Sequence, residues 1–165
     1  MSISHMSVKA GTLRPLTPTE RTALRMFSER AQTVVALSPT ETGLKKHIMD
    51  AVQPLRDMLI SGGFHDYGHQ RQGVIRRVEG RRISARGHIH AIRISLYRPV
   101  TKAGDPRVWF QRAPEWCKPG DMLGIFLLNG VLHVVNLSTF DPEPTAYRKL
   151  CRQLETLTVG EKEGS

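Results

Sequence analysis

The sequence lacks long hydrophobic runs and is poor in cysteine. No apolar run in the 165 residues approaches the roughly 18–20 residues that a membrane-spanning helix needs, and no signal peptide opens the chain. The two cysteines, Cys117 and Cys151, are too few for a disulfide framework or a cysteine-based zinc site. They favour a reducing compartment. We therefore expect a soluble, cytoplasmic protein without a membrane partner.

Acidic residues are scarce in one part of the chain. The segment Arg71–Arg112 contains eleven Lys or Arg residues and only two acids, Glu79 and Asp105, whereas the rest of the chain holds equal numbers of each sign. This one segment therefore carries the whole net charge of +9. A basic surface for anionic lipids more often lies on an amphipathic helix. Here the basic residues lie in strand-like sequence, which favours nucleic acid as the partner.

Two helix-start signals stand in the first third of the sequence. Both Thr17-Pro-Thr-Glu20 and Ser38-Pro-Thr-Glu41 fit the capping box, with proline at the first helical position. Together with apolar residues at helical spacing, they predict helices from about Pro18 to Leu37 and from about Pro39 to Ile60. Pro54 should kink or divide the second helix.

From Phe64 to Ser138 the pattern changes to short strand-like runs. Asn129-Gly130 between two apolar runs predicts a hairpin with a type I′ turn, and a last helix is expected over about 145–157. The predicted strands cover residues 73–78, 83–86, 88–97, 107–110, 122–128 and 131–137. We predict an α+β fold in which a helical segment, 1–62, packs on a sheet or pseudobarrel, 63–158, followed by a flexible tail, 159–165.

The sequence contains only part of the residue set of a metal-dependent nuclease. Such enzymes need an acid on one strand and an acid–x–Lys pair on the next to hold the metal and orient water. Asp105 could supply the first acid, but Glu115 and Lys118 have the wrong spacing, and Glu161-Lys-Glu163 lies in the predicted tail. A small metal-dependent DNA endonuclease with an atypical active site stays as the alternative function.

Two pairs of histidines are candidate metal ligands. His65 and His69 lie in a glycine-flanked loop, and His88 and His90 would share one face of a strand, without a third ligand for zinc. We therefore predict no cofactor, no metal and no catalytic residue in this chain.

The same polar residues fit the reading of DNA bases. Arg and Lys recognise guanine in the major groove, Gln recognises adenine, and Asp accepts from cytosine N4. Asp105 is either such a base-reading acid or an ordinary turn residue in Gly-Asp-Pro. The predicted base contacts are His69, Gln70, Arg71, Lys102, Asp105 and Arg107. The predicted backbone contacts are Arg76, Arg77, Arg81, Arg82, Arg86, Arg98 and Arg112. An RNA-binding module is less favoured, because the basic segment has few aromatic residues for stacking.

The stretch from His69 to Ser138 resembles a known family of DNA-binding domains. Lys118-Pro-Gly-Asp-Met-Leu-Gly-Ile-Phe126 looks like the turn and core strand of the plant B-three-like pseudobarrel found at the N-terminus of EcoRII- and UbaLAI-type restriction endonucleases. His69-Gln70 and Asp105-Pro-Arg107 resemble that family's two DNA-gripping arms.

The resemblance implies both a fold and a function. The fold would be an open, seven-stranded-type β-pseudobarrel with two N-terminal helices and a C-terminal helix. The chain would be the monomeric, non-catalytic effector domain of a type II restriction endonuclease of the bacterial cytoplasm. It would bind double-stranded DNA at a CCWGG-like site, while a separate catalytic nuclease domain of the same protein cuts. The predicted partners are therefore double-stranded DNA and that nuclease domain.

Overall fold

The structure is a computed structural model that describes residues 14–164, without the side chains of Lys102 and of residues 156–164. Residues 1–13 and 165, which the sequence assigns to the N-terminal segment and the tail, lie outside the described residues. The described part of the chain forms seven strands: β1 Val34–Leu37, β2 Met49–Asp50, β3 Ile75–Ile83, β4 Ile89–Tyr97, β5 Arg107–Phe110, β6 Leu123–Leu128 and β7 Val131–Asn136. Its five helices are α1 Pro18–Ser28, α2 Glu41–Lys46, α3 Gln53–Ser61, α4 Ala113–Trp116 and α5 Pro144–Gly164.

The seven strands form one mixed sheet that curls into a half-barrel. Their order is β1-β6-β7-β3-β4-β5-β2, so β1 and β2 are the two edges. Neighbouring strands are antiparallel except β3 and β7, which run parallel. The α+β class predicted from the sequence is confirmed, with an open seven-stranded sheet, but the described residues form five helices rather than the three expected.

Hydrophobic cores lie on both faces of the sheet. Leu55 and Leu59 of α3 belong to one core, together with Ile94 of β4. Phe27 of α1 and Leu150 of α5 belong to the other. The sheet is therefore covered on both sides near β1, β6 and β7, which accounts for the nearly continuous apolar sequence of these strands.

The first predicted helix, 18–37, is wrong in its second half. The chain is helical only to Ser28, and residues 34–37 form edge strand β1, paired antiparallel with β6. Val34 and Ala36 enter one core while Val35 and Leu37 enter the other. Because all four residues are buried, their pattern fits a buried helix as well as a strand.

The second predicted helix, 39–60, is also wrong as a single element. The N-terminal capping residue of α2 is Thr40 rather than Ser38. The helix ends at Lys46, and the next residue, His47, has a left-handed backbone (φ 58°) that turns the chain into β2. Pro54 lies in the first turn of α3, so the expected division of the helix is confirmed. Without glycine or asparagine at position 47, the sequence carries no ordinary signal for this helix end.

Other boundaries differ in detail. The predicted strands 73–78 and 83–86 are replaced by one strand, β3, and the last helix runs to Gly164 rather than Leu157. The capping box of Thr17 and Glu20 and the positive φ angles of the Asn129-Gly130 turn agree with the sequence. No helix in the described ranges is long and apolar enough to cross a membrane.

His133 on β7 is a buried titratable group. Its ring stacks on Phe126 at 5.0 Å, Nδ1 donates to the carbonyl of Val131, and Nε2 is buried without a partner among the described residues. Burial, helped by the charge of Arg81, lowers the pKa of His133 to about 4. The folded state therefore favours the neutral ring.

This burial should make the fold sensitive to mild acid. Between pH 6.5 and about 4 the unfolded chain binds a proton at His133 that the folded chain does not, so stability falls as the pH is lowered through this window. His133→Leu should reduce the slope of unfolding free energy against pH there by up to about 1.4 kcal/mol per pH unit. Urea unfolding at several pH values measures the slope, and parallel curves for the two proteins would contradict the assignment.

Candidate nucleic-acid interface

Two polar loops meet at one end of the β3–β4 hairpin. The first loop, residues 64–74, leads into β3, and the second, residues 98–106, leaves β4. Because Ile75 pairs with Tyr97, the last residue of the first loop and the first of the second are adjacent across the hairpin. We call these loops together the two-loop surface.

Arg98 joins the two loops. Its Nε donates to the carbonyl of Gly104 and its Nη1 donates to the carbonyl of Gln70, both at 2.9 Å. The backbone N–H of Gly73 in turn donates to the carbonyl of Arg98 at 2.7 Å. These three bonds fix the position of each loop relative to the other.

A hydrogen-bonded network inside the first loop uses the whole side chain of Gln70. Its Nε2 donates to the carbonyls of Leu96 at 2.9 Å and Val74 at 3.2 Å. Its Oε1 is 3.2 Å from Nε2 of His65, which donates to it, because Nδ1 of His65 accepts from Arg76. Burial lowers the pKa of His65, and the neighbouring Arg76 adds to the effect, so the ring stays neutral in this network.

One further contact anchors the first loop to the sheet, and another packs the two loops together. The buried Tyr67, in a 3₁₀ turn of the first loop, donates its hydroxyl to the carbonyl of Arg107 at 2.9 Å. Burial raises the pKa of Tyr67. Gly104 lies against Gln72, and a Cβ at this position would be only 2.5 Å from Nε2 of that glutamine. The first loop is thus fixed to β5 and packed against the second loop.

The predicted base-contact residues divide into exposed and engaged groups. His69, Arg71 and Asp105 are exposed on the two-loop surface. Arg107 is half-buried, with Nε inaccessible and unpaired among the described residues. Gln70 is engaged internally, as described above, and the predicted contact of Lys102 falls on a side chain outside the described residues.

The six predicted backbone-contact arginines other than Arg98 have different surroundings. Arg76 donates to the carbonyl of Phe64, Arg81 pairs with Glu79 at 2.7 Å, and Arg86 pairs with Glu143 at 2.9 Å. The guanidinium of Arg82 lies 5.5 Å from the ring centroid of Trp116, and burial lowers its pKa. The side chains of Arg77 and Arg112 are exposed and form no hydrogen bond or ion pair with another described residue.

A cavity of about 400 Å³ with a mixed polar and apolar lining adjoins the second loop. Asp105 and Arg107 line it together with Asp50 of β2, which is opposite Arg107 in the register of the sheet. In the ranges that the structure describes, no three His, Cys, Asp or Glu side chains are grouped so that they could hold a metal ion.

Sequence reasoning missed several exposed residues of this region. Arg93 faces solvent in the middle of β4 and makes no side-chain bond to another described residue. Its alternation with the buried Ile92 and Ile94 would have indicated this exposure. Val74, Ile75 and Val100 were also missed, since an exposed apolar side chain carries no signal in a sequence pattern.

Comparisons with protein-family models, with curated proteins and with solved structures find no match to this chain. The structure defines the class as an α+β protein with a curled seven-stranded sheet.

Proposed function

We propose that the protein binds double-stranded DNA sequence-specifically through the two-loop surface, as the non-catalytic recognition domain of a restriction endonuclease. One observation carries the proposal. Two polar loops are fastened together by Arg98, and they present the cation Arg71 and the acid Asp105, neither of which is paired with another described side chain.

Charge supports DNA as the partner. The +9 of the segment 71–112 is concentrated around these loops and their strands, and such a cationic field attracts a phosphate backbone. An acid is unfavourable beside phosphates, so an exposed Asp105 fits a group that accepts a hydrogen bond from cytosine N4. The open sheet with edges β1 and β2 supports a pseudobarrel of the DNA-binding type, for which a CCWGG-like site is the first to test.

In this proposal the predicted contacts have different roles. Arg71, Asp105, Arg107 and the Nε2 atom of His69, whose Nδ1 lies 3.0 Å from the carboxylate of Asp66, supply base contacts. Gln70, Arg76 and Arg98 position the loops because their polar groups are already bonded within them. Phosphate contacts come from exposed cations without internal partners, such as Arg77, Arg93 and Arg112. Because the loops contact each other, they enter the groove as one unit rather than as two separate arms.

A selection of bound duplexes from a random library tests the proposal. We expect one enriched site, weaker binding of RNA duplexes, and no cleavage of plasmid DNA with Mg²⁺ or Mn²⁺. Equal affinity for all duplexes would contradict sequence-specific binding, and plasmid cleavage that Asp105→Ala abolishes would favour the endonuclease alternative.

Asp105→Ala should relax the choice of DNA without weakening general binding. Discrimination at one base pair of the selected site should fall by about 1–3 kcal/mol, because the variant loses the acceptor for cytosine N4. Affinity for random duplex should not fall, since the lost charge repels phosphate. Gel-shift competition with single-substituted sites measures both quantities. Asp57→Ala, an exposed acid on α3, is the matched control.

A further inference from the structure

An exposed apolar patch lies on the two-loop surface. Ile60, Val74, Ile75 and Val100 are the large hydrophobic residues exposed in the described part of the chain. Val74 and Val100 belong to the two-loop surface, and Ile75 is the first residue of β3. Val100 is 77% exposed. Single exposed apolar side chains are common on protein surfaces, whereas a cluster on a functional loop indicates contact with a partner.

The second loop approaches the first loop next to these residues. A Cβ at Gly73 would lie 3.0 Å from Cγ2 of Val100, and Val74 and Ile75 follow Gly73 directly in the chain. Gly73 has a positive φ of 84° and donates its N–H to the carbonyl of Arg98. The glycine therefore lets Val100 of the second loop approach the backbone immediately before the Val74-Ile75 pair.

Charged and polar groups surround this patch. Arg71 and Gln72 precede it in the first loop and are exposed, and Arg77 follows it on β3. A cationic rim around a few aliphatic side chains is complementary to the floor of the DNA major groove, where phosphates border the methyl groups of pyrimidines. An aliphatic side chain reads the C5-methyl group of thymine by apolar contact.

We propose that Val74, Ile75 and Val100 form an apolar reading patch for the C5-methyl group of a pyrimidine in the major groove. This inference rests on the proposed DNA-binding function and adds a specificity element to it. The methyl group belongs either to thymine or to 5-methylcytosine, which carry it at the same position of the ring.

The test uses the selected duplex in two series. In the first, each thymine in turn is replaced by uracil, which removes only the methyl group. In the second, each cytosine is replaced by 5-methylcytosine, which adds it. We expect at least one position where the methyl group strengthens binding by about fourfold, the factor for burying one methyl-sized group. A response in the first series identifies thymine as the source, and a response in the second identifies 5-methylcytosine.

Variants of the protein assign the effect to the patch. Val100→Thr keeps the shape of the side chain but replaces a methyl group by a hydroxyl, and Ile75→Thr keeps the branch at Cβ but replaces the ethyl or methyl branch by a hydroxyl and shortens the side chain. Both sites are exposed enough that folding should be unaffected. At the responding position, each variant should bind the duplexes with and without the methyl group with nearly equal affinity. Ile60→Thr, an exposed isoleucine on α3, should leave it unchanged.

The outcomes separate this inference from the proposed function. Sequence-specific binding without a methyl effect at any position would overturn the reading patch and leave the proposed function intact. Absence of a preferred duplex would overturn both. A wild-type dimer that Val100→Thr dissociates, seen by light scattering and without a methyl effect on DNA, would make the patch a contact between two copies of the chain and overturn the inference.

Discussion

Replacement of Glu20 by alanine is expected to destabilise the fold by about 1.5–3 kcal/mol, the range for the loss of hydrogen bonds to a charged group. Glu20 is only 2% exposed although it lies in the first turn of α1. Its carboxylate accepts two hydrogen bonds from Arg14, at 2.7 and 2.8 Å, one from the backbone of Thr17, and one from the hydroxyl of Ser138 at 2.6 Å. Alanine would leave these donors without their acceptor.

The position of Glu20 explains why the effect should be large. Ser138, which follows β7, donates to Glu20 and accepts from the backbone N–H of Met122 before β6. Arg14 also donates to the carbonyl of Gly120, in the Lys118-Pro-Gly-Asp121 turn. The carboxylate thus connects the start of α1 to the turns at the ends of two central strands.

Chemical denaturation at pH 7 measures the loss, and Glu29→Ala is the matched control. Glu29 is an acid at the end of the same helix, with an exposed side chain and a long contact of 3.9 Å to Arg30, so its removal should change stability by less than about 0.5 kcal/mol. Equal effects of the two substitutions would contradict a structural role of the Glu20 network.

The same carboxylate should contribute to acid unfolding. Burial by itself would raise the pKa of Glu20, but hydrogen bonds from Arg14, Ser138 and the Thr17 backbone outweigh it and lower the pKa to about 2. A depressed carboxylate pKa gives stability that is present above pH 4.5 and lost as the pH falls towards 2. The window of Glu20, from pH 4.5 to about 2, lies mostly below the window of His133, from pH 6.5 to about 4. A titration of stability against pH can therefore separate the two groups.

The sequence predicted some elements of the fold well and others poorly, for physical reasons. The Thr17–Glu20 capping box and the Asn129-Gly130 turn depend on local hydrogen bonds and backbone angles, which neighbouring residues determine. Strands β1 and β2 depend on distant partners, since Met49 pairs with Val108, 59 residues later, and Val34 pairs with Phe126, 92 residues later. No local pattern specifies such pairing.

The site shows the same division between local and long-range information. Residue types and charge were sufficient to single out the two loops and Asp105. The roles of Gln70 and Arg98 depend on carbonyl groups that only the folded chain brings near them, at Leu96 and Gly104. A sequence therefore indicates which side chains can contact DNA but not which of them the protein uses for its own loops.

Arg98→Ala should loosen both loops and weaken binding to the selected duplex by about 1.5–3 kcal/mol, the range for a hydrogen bond from a charged donor. The variant loses the bonds to the carbonyls of Gln70 and Gly104, and with them the fixed distance between Arg71 and Asp105. Arg98→Lys should recover only part of the loss, because a single ammonium group cannot replace two guanidinium nitrogens in a fixed geometry.

Hydrogen exchange distinguishes this positioning role from the phosphate contact that the sequence predicts for Arg98. The amide of Gly73 donates to the carbonyl of Arg98, so its exchange reports whether the loops stay together. In Arg98→Ala without DNA this amide should exchange faster, while amides of the central strands β6 and β7 should not. In Arg77→Ala, which removes an exposed and unpaired cation, it should exchange as in the wild type.

The salt dependence of DNA binding also distinguishes a positioning role of Arg98 from a phosphate contact. A residue that contacts phosphate releases counterions, so Arg77→Ala should lower the slope of log affinity against log salt by about one unit. Arg98→Ala should weaken binding with a nearly unchanged slope, since its guanidinium points into the protein at Gln70 and Gly104. A lower slope together with unchanged exchange at Gly73 would instead make Arg98 a phosphate ligand, and the two loops would then have to hold together without it.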